Sequence, residues 1–411
     1  MNKNNIQSSQ DTVSVLSLFD GMSCGMIAML NAGLKVGSYA AYEIDKYAIK
    51  TSQHNFPDIL QCGDVFEADF TQHKGVDYLI GGSPCTYWSI AKTTNRETEA
   101  RGTGWELFSQ YIRALNEAQP RYFIYENNKS MSKQIRASID TAFGFEAICI
   151  NSALLSAQNR KRLYWVGKRN DDGSYSKVDV HQPEDKGILL KDVLDGISDR
   201  DKARAVIGSI GRTTTREYFL KHQGTMAFTP INTTVNGKAQ ALRASCYKDG
   251  IRNMIANNVD RRTCVAEPVN TVNGKSQTIK AQYQNTNVNN ICCYSSTYGA
   301  SGVAEPVRVE ALPIEFENNV PIKAKSYSDG KTYTVYEVKD GLITIKGKEY
   351  SIKLSDGFYI IRKLTVSECK KLQTVPEWYE FPVSDTQAYK MLGNGWTCEV
   401  ITYLIKAIIN D

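Results

Sequence analysis

Val76-Asp-Tyr-Leu-Ile-Gly-Gly-Ser-Pro-Cys85 joins a short apolar run to an abrupt turn, and the rest of the chain can be read outward from it. Asp77 to Ile80 reads as a buried strand, which Gly81-Gly82-Ser83-Pro84 ends. Pro84 fixes its own φ and steers Ser83 away from helical backbone, so the turn is stiff. Cys85 is therefore expected at the carboxyl end of a sheet strand, the rim where open α/β folds bind ligands. An isolated cysteine is ordinarily a small buried hydrophobe. Its neighbours decide whether this one is more.

Upstream, Val13 to Phe19 alternates and is β-rich. Asp20-Gly-Met-Ser-Cys-Gly25 breaks it, and a helical pattern follows from Met26 to Ala32 with Gly33 as a stop. Val36 to Tyr42 gives a second strand ending in Glu43, and Asp45 to His54 a second helix. Ile59 to Cys62 gives a third strand ending in Gly63-Asp64-Val65. Downstream, a polar segment from Ala91 to Thr103 precedes a helix over Trp105 to Ala118. Tyr122 to Tyr125 is a strand ending in Glu126-Asn-Asn128. A helix over Met131 to Ala142 and strands over Phe145 to Ile150 and Leu163 to Gly167 complete the run. Strand and helix alternate, with turn chemistry at each strand's end, and this predicts a doubly wound α/β sheet.

From Asp171 the character changes to Asn, Thr, Gly and short strands, until helical periodicity returns near Leu364. Glu267-Pro-Val-Asn-Thr-Val-Asn-Gly-Lys-Ser-Gln277 echoes Pro230-Ile-Asn-Thr-Thr-Val-Asn-Gly-Lys-Ala-Gln240, and Val303-Ala-Glu-Pro-Val307 repeats Val265-Ala-Glu-Pro-Val269. A period of about 38 residues is typical of one supersecondary unit per copy. Basic residues outnumber acidic ones between Arg212 and Arg308, which suits either a nucleic-acid face or a plain solvated surface. Helices over Thr365 to Gln373, Gln387 to Leu392 and Thr397 to Ile409 then suggest a return to the first domain. The expected division is a polar tail (1–12), a catalytic domain (13–170), a β-rich block with repeats (171–361) and a C-terminal return (362–411).

Length and composition narrow the classes further. A chain of 411 residues can form two or three domains, and its net charge of +5 permits an acidic partner without demanding one. The ten cysteines form no CxxC pair or regular framework. Met1 to Thr12 lacks an apolar signal core, and no run is long enough to span a bilayer. A reducing, cytoplasmic setting and no membrane are expected. The four histidines are scattered, which argues against a zinc site and against a Cys-His hydrolase.

Gly21 and Gly25 allow close backbone approach at a helix start, but their spacing is not GxGxxG, so a pyrophosphate cradle is poorly supported. Glu43 closes the second strand where Rossmann-like folds set an acid against ribose hydroxyls, and Asp64 closes the third. Two acids at adjacent strand ends repel phosphate and suit a nucleoside lacking one. S-adenosylmethionine, with ribose hydroxyls, an adenine amine and a cationic sulfonium, is such a ligand. Cys85 and Glu126 fall on one rim, a thiol and a carboxyl that could serve nucleophilic and acid catalysis. In Gln158-Asn-Arg160-Lys-Arg162 the two arginines alternate onto one face. They could favour thiolate, hold Glu126, or form a plain salt bridge.

Taken in order, these motifs resemble the DNA (cytosine-5) methyltransferases of bacterial and phage type, over nearly the whole chain. Leu18-Phe-Asp-Gly-Met-Ser-Cys-Gly25 is similar to the family's cofactor loop, and Glu43 to its ribose-binding acid. Gly63-Asp64-Val65 is similar to the adenine-binding segment and Gly81-Gly-Ser-Pro-Cys85 to the nucleophile motif. Glu126-Asn127 resembles the ENV motif and Gln158-x-Arg160-x-Arg162 the QxRxR motif. Arg362-Lys-Leu-Thr365 through Pro376 resembles the ninth motif, and Gln387-x-Tyr389 with Gly393-Asn394-Gly395 the tenth. The chain departs from the family in having SPC for PPC, Thr86 after the cysteine, Asn128 for valine, and Gly395-Trp396 where GNS is usual.

The resemblance implies a Rossmann-like methyltransferase sheet with a β-rich target-recognition domain at 171–361. It implies S-adenosylmethionine as cofactor and double-stranded DNA as partner. The chain is expected to be monomeric, and the resemblance allows a cognate restriction endonuclease. Cys85 would attack carbon 6 of an extruded cytosine while Glu126 contacts the ring, with Arg160 and Arg162 orienting base and acid. Phe19, Asp20, Gly21, Met22, Ser23, Gly25, Glu43, Ile44, Asp64, Val65, Pro84, Asn394, Gly395 and Trp396 would contact the cofactor. Ser83, Thr86, Ser89, Lys238, Gln240, Arg243, Lys275 and Gln277 would face DNA, and Ser89 to Gly104 would close over it. The repeats would be either copies of one DNA-reading unit or structural units of a single reader. The rival readings are the same chemistry on RNA and a catalytically silent DNA-binding regulator.

Overall fold

The computed structural model describes residues 12–90, 94–231, 292–293, 307–308, 314–317, 320–326 and 330–411. The N-terminal tail up to residue 11 and most of the repeat segment, with Lys238, Gln240, Arg243, Lys275 and Gln277, lie outside the described residues.

The first run is β1 (Val13–Leu18), α1 (Cys24–Asn31), β2 (Val36–Tyr42), α2 (Lys46–Asn55), β3 (Leu60–Gln61), β4 (Tyr78–Gly81), α3 (Thr103–Ala118), β5 (Tyr122–Asn128), α4 (Lys133–Phe143), β6 (Ile148–Asn151), β7 (Gln158–Asn159), β8 (Lys161–Arg169) and β9 (Tyr175–Lys177). The sheet order is β3-β2-β1-β4-β5-β8-β6, with β9 beside β8. Strands β1 to β5 pair in parallel, and β8 is antiparallel to β5 and β6. This is the doubly wound, parallel-dominated sheet expected of the sequence. Chain order reverses where β1 lies between β2 and β4, which opens a crevice at their carboxyl ends.

The period-two alternation of strand residues divides the core between the two faces of the sheet. Leu79 of β4 with Phe123 and Tyr125 of β5 pack with Phe108 and Tyr111 of α3 and Ile139 and Phe143 of α4. Tyr78, Ile80 and Ile124 pack on the other side with Ala28 and Met29 of α1. That second face is completed by Val400, Ile401, Leu404, Ile405 and Ile408, from the far end of the chain.

The chain divides into two compact units. One comprises Met1–Asp192, Lys202–Gly211 and Val366–Asp411, the other Val193–Asp201 and Arg212–Thr365. Residues 171–192, grouped by composition with the β-rich block, pack instead with the first unit. The reason is local: β9 adds to the edge of β8, and Val178 and Val180 bury in that sheet's core. The first unit also contains β10 (Ala203–Arg204), parallel to β7.

The second unit contains α5 (Thr215–Lys221), β11 (Met226–Ile231), β12 (Cys292–Cys293), β13 (Val307–Arg308), β14 (Ile314–Glu317), β15 (Val320–Lys325), β16 (Thr332–Lys339), β17 (Leu342–Ile345), β18 (Lys348–Ser351) and β19 (Gly357–Lys363). Its main sheet is antiparallel, in the order β11-β19-β16-β15-β14, with β17 and β18 continuing from β16. Tyr218, Phe228, Val338, Ile343, Ile345 and Tyr359 form its core. Helix α5 starts with a full capping box between Thr214 and Glu217, a sequence signal within a stretch read as short strands.

Helices α6 (Val366–Leu372), α7 (Asp385–Asn394) and α8 (Cys398–Asn410) belong to the first unit. Among the described residues no helix is long and apolar enough to cross a membrane.

Candidate active site

Strand register brings the candidate residues to one rim. Leu18 pairs with Tyr42 on one side and Gly81 on the other, and Gly81 pairs with Tyr125. Phe19, Glu43 and Gly82, just past their strands, and Glu126, the next residue of β5, therefore lie at the same level on four adjacent strands. Across the antiparallel pair, Asn128 stands opposite Arg162.

The β1–α1 turn is tight, with positive φ at Phe19, Gly21 and Ser23 (57°, 62° and 59°). Backbone held in this region by non-glycine residues stores strain and is concentrated at ligand sites. Ser17 Oγ and Tyr39 Oη donate to one oxygen of Asp20 (both 2.6 Å), and Ser23 Oγ donates to the other at 2.5 Å. Burial nevertheless pushes the Asp20 carboxyl up to about 6, against those hydroxyls, with the Glu43 charge adding to the rise. Tyr379 Oη donates to the Met22 carbonyl at 2.6 Å, so the C-terminal return braces this turn.

Glu43 accepts the Gly21 N–H on one oxygen and the Ile44 and Asp45 N–H groups on the other, all at 2.8 Å. Asp64 accepts the Phe66 N–H at 3.0 Å. Beside these acids Ile44 and Phe66 stand 72% and 49% exposed, apolar side chains offered to solvent at consecutive strand ends. Two carboxylates, bent backbone and exposed apolar side chains fit a nucleoside without phosphate.

Cys85 opens a short 3-10 turn after β4 and is partly exposed. Burial and then the Glu126 charge push its thiol up from the ordinary value. Arg162, Arg160 and a hydrogen bond from Asn128 offset part of that rise. Asn128 Nδ2 donates to the Cys85 carbonyl at 3.3 Å, so the asparagine found in place of the motif's valine braces the Cys85 turn. Asn127 Nδ2 reaches the Ser83 carbonyl (3.1 Å) and the Tyr125 hydroxyl (3.2 Å). Of the two, only Asn128 stood out in sequence, as a departure from the motif that Asn127 matches.

Glu126 has both oxygens engaged. Arg162 Nε lies 3.1 Å from Oε1, and Trp396 Nε1 donates to Oε2 at 2.9 Å. Gly82 makes room for this, because a Cβ there would stand 2.9 Å from the Glu126 carbonyl and 3.0 Å from Oε2.

Arg160 does not join that pair. Its buried guanidinium donates to the carbonyls of Val206 (2.6 Å), Gly393 (3.1 Å) and Gly395 (2.8 Å). It lies between β7 and β8 rather than within a strand, so the alternation that would place it beside Arg162 is broken. Burial, reinforced by the Arg162 charge, lowers it to about 10, with Glu126 pulling the other way. Gln158 Nε2 donates to Leu372 O (2.6 Å) and Gln373 Oε1 (2.7 Å), and its Oε1 accepts from Val206 N at 3.0 Å.

The other expected contact residues differ in exposure. Ser83, expected against DNA, is buried with its hydroxyl 2.7 Å from that of Tyr125. Met22, Ser23, Gly25 and Val65 are buried. Pro84, Thr86, Ile44 and Asn394 are exposed, and Ser89 and Phe19 are half-buried. In the expected closing loop, Glu97 accepts from the Trp88 indole at 3.1 Å and from Gly104 N at 3.0 Å, and Arg96 donates to the Trp88 carbonyl at 3.0 Å.

Residues 13–410 match the family described as C-5 cytosine-specific DNA methylase. The chain is similar to the orphan methyltransferase M.Rho11sI of Bacillus phage rho11s, 36% identical over 169 residues that cover 38% of this chain and 33% of that protein. It is similar to the type II methyltransferase M.NgoPII of Neisseria gonorrhoeae, 30% identical over 214 residues, 48% of this chain and 60% of that protein. The match thus spans less than two thirds of either relative's length. A solved mutant of Spodoptera frugiperda DNMT2 shares the fold, with a TM-score of 0.50 at 14% identity over 97% of this chain and 100% of that one.

Proposed function

The chain belongs to the C-5 cytosine-specific DNA methylases, and from that premise we propose that it methylates carbon 5 of a cytosine extruded from a specific short sequence of duplex DNA. The observation that carries this reading is the grouping on one rim: Cys85 feels the charges of Glu126, Arg162 and Arg160, and Glu126 is held at both oxygens.

S-adenosylmethionine, when bound, supplies an electrophilic methyl carbon. The turn from Phe19 to Ser23, Glu43 and Asp64 would hold it: Glu43, fixed by the Gly21 N–H, would accept from ribose hydroxyls, and the two carboxylates themselves disfavour phosphate. Ile44 and Phe66 would cover the purine. The residues fit that ligand.

Extrusion of the base costs a few kcal/mol, to be offset by contacts in the pocket. The Cys85 sulfur would bond to carbon 6 and the C5–C6 π pair would shift onto carbon 5, which would then take the methyl group as the donor's S–CH3 bond breaks and leaves a neutral thioether. Glu126 would share a proton with ring nitrogen 3 and accept from the exocyclic amine, which makes the ring a better electrophile. Sharing that proton also removes negative charge from beside Cys85, one of the two causes that hold its thiol up. Arg162 keeps the carboxyl turned to the base. Loss of the C5 proton and cleavage of the S–C6 bond would restore the double bond and free Cys85. Arg160 acts at one remove, by shaping the C-terminal return beside the acid. Target reading belongs to the β-rich region, and the protein would work as a cytoplasmic monomer.

The test is expression in a host without 5-methylcytosine, followed by base-resolution sequencing of its DNA and RNA. Methylation at one short DNA sequence is the expected result. Folded protein that leaves DNA unmodified would reject the proposal, in favour of RNA chemistry if the mark appears there and of a silent regulator if it appears nowhere.

A further inference from the structure

Trp396 follows Gly393-Asn-Gly395 in the segment whose resemblance points to the cofactor, yet its indole N–H is committed elsewhere, 2.9 Å from Glu126 Oε2. The two residues are 270 positions apart in sequence. The side chain is only partly exposed and packs against the core face that holds Ile80, Ile124 and Ile150. The backbone on either side is fixed. Arg160 donates to the carbonyls of Gly393 and Gly395, Gln373 Nε2 donates to Gly395 O at 3.3 Å, and the Thr397 hydroxyl donates to Gln373 Oε1 at 2.9 Å. An indole can only donate, and its single N–H fixes a direction as well as a distance. With Arg162 on Oε1 and Trp396 on Oε2, the carboxylate can neither rotate nor retreat.

We propose that Trp396 is a positioning residue that acts through Glu126. On this view Arg160 sets the Gly395 carbonyl, that backbone sets the indole, and the indole sets the plane of the carboxylate that meets the base. The inference rests on the methyltransferase reading and deepens it: it assigns the residue after the glycines to the base-binding acid rather than to the methyl donor. Gly82 leaves room for the carboxylate, since a Cβ there would stand 2.9 Å from the Glu126 backbone carbonyl and 3.0 Å from Oε2.

The experiment compares wild type with Trp396→Phe, which keeps an aromatic ring and removes the N–H. Loss of orientation at a reacting centre is expected to lower kcat roughly 10- to 100-fold. Calorimetric affinity for S-adenosylmethionine should stay within about twofold, since no interaction with the donor is removed. In protein labelled at tryptophan nitrogen, the indole resonance missing from Trp396→Phe should move in Glu126→Gln. If Trp396→Phe does not fold, Trp396→Tyr, which likewise keeps a ring and removes the indole N–H, provides the same kcat test. An active wild type whose variant loses donor affinity at unchanged kcat would overturn the inference alone, as would an indole resonance indifferent to Glu126→Gln. A wild type that methylates nothing would overturn the functional reading, and the inference with it.

Discussion

Arg162 Nε stands 3.1 Å from Glu126 Oε1, and the two side chains are only 17% and 12% exposed. Removing one partner of so enclosed a pair leaves the other charge without compensation. Arg162→Ala should therefore lower turnover roughly 100-fold or more. Arg162→Lys should recover part of that loss, because a point charge replaces a planar donor. Steady-state methylation assays on a duplex carrying the target sequence check this, and wild-type turnover in Arg162→Ala would contradict it.

The raised Cys85 thiol gives a pH signature. Thiolate is the reactive form, so alkylation by iodoacetamide should climb with pH and still be climbing at pH 9.0, the ordinary thiol value. Glu126→Gln removes one of the two raising causes and should move the curve to lower pH. Peptide mass spectrometry separates Cys85 from Cys62 and Cys149, which are also partly exposed. A wild-type curve already flat by neutral pH would refute the assignment. Cys85→Ala should abolish methylation and leave DNA binding largely intact.

Glu43 is held by three backbone N–H groups, which makes it a rigid acceptor for the ribose contact proposed above. Glu43→Ala should weaken S-adenosylmethionine by roughly tenfold or more, the value of about 1.5–3 kcal/mol for a hydrogen bond to a charged group. The modified sequence should not change. Calorimetry and sequencing of host DNA read the two effects separately.

Asp20 carries a stability prediction with a definite sign. Its folded value of about 6 lies above its ordinary 3.8, so folding favours the protonated form. That stabilisation is fully present below the ordinary value and is lost as pH rises through about 6. Asp20→Asn, which keeps the shape and can donate to Ser23, should abolish that slope. The variant should gain on the order of 2 kcal/mol over wild type between acid and neutral pH, after allowance for solvent screening. Urea melts at pH 4.5 and 7.5 measure it, and equal slopes in the two proteins would exclude it.

Gly393 touches backbone. A Cβ there would lie 2.0 Å from Gly208 N and 2.2 Å from Ile207 C, neither of which can swing aside. Gly393→Ala should cost about 3 kcal/mol or more, at the far end of single-substitution effects. A Cβ on Gly208 meets nothing nearer than 3.6 Å, so Gly208→Ala should be nearly neutral. Thermal melts of the two variants distinguish them.

The strand ends were legible because each element announces itself locally: an apolar run, a glycine or proline stop, and one polar side chain left on the rim. Cys85, Glu126, Glu43 and Asp64 could therefore be placed at strand ends before any coordinates. Arg160 could not be told from Arg162, because alternation assumes a continuous strand and the ladder is interrupted between β7 and β8. Ser83 looked available because its neighbours are polar, but Tyr125 and Asn127 draw it inward across two strands. The Trp396–Glu126 bond leaves no local trace, since neither residue's neighbourhood in sequence mentions the other.

The return of α8 to the first sheet has a consequence for how the protein is made. Val400, Ile401, Leu404, Ile405 and Ile408 seal one flank of that sheet, and the indole that reaches Glu126 is encoded just before them. While the ribosome is still working through the middle of the message, the thiol and its carboxyl already exist, but their surroundings do not. A polypeptide that has not yet added Trp396 and this helix leaves that flank of the sheet uncovered and the Glu126 carboxylate without its indole partner.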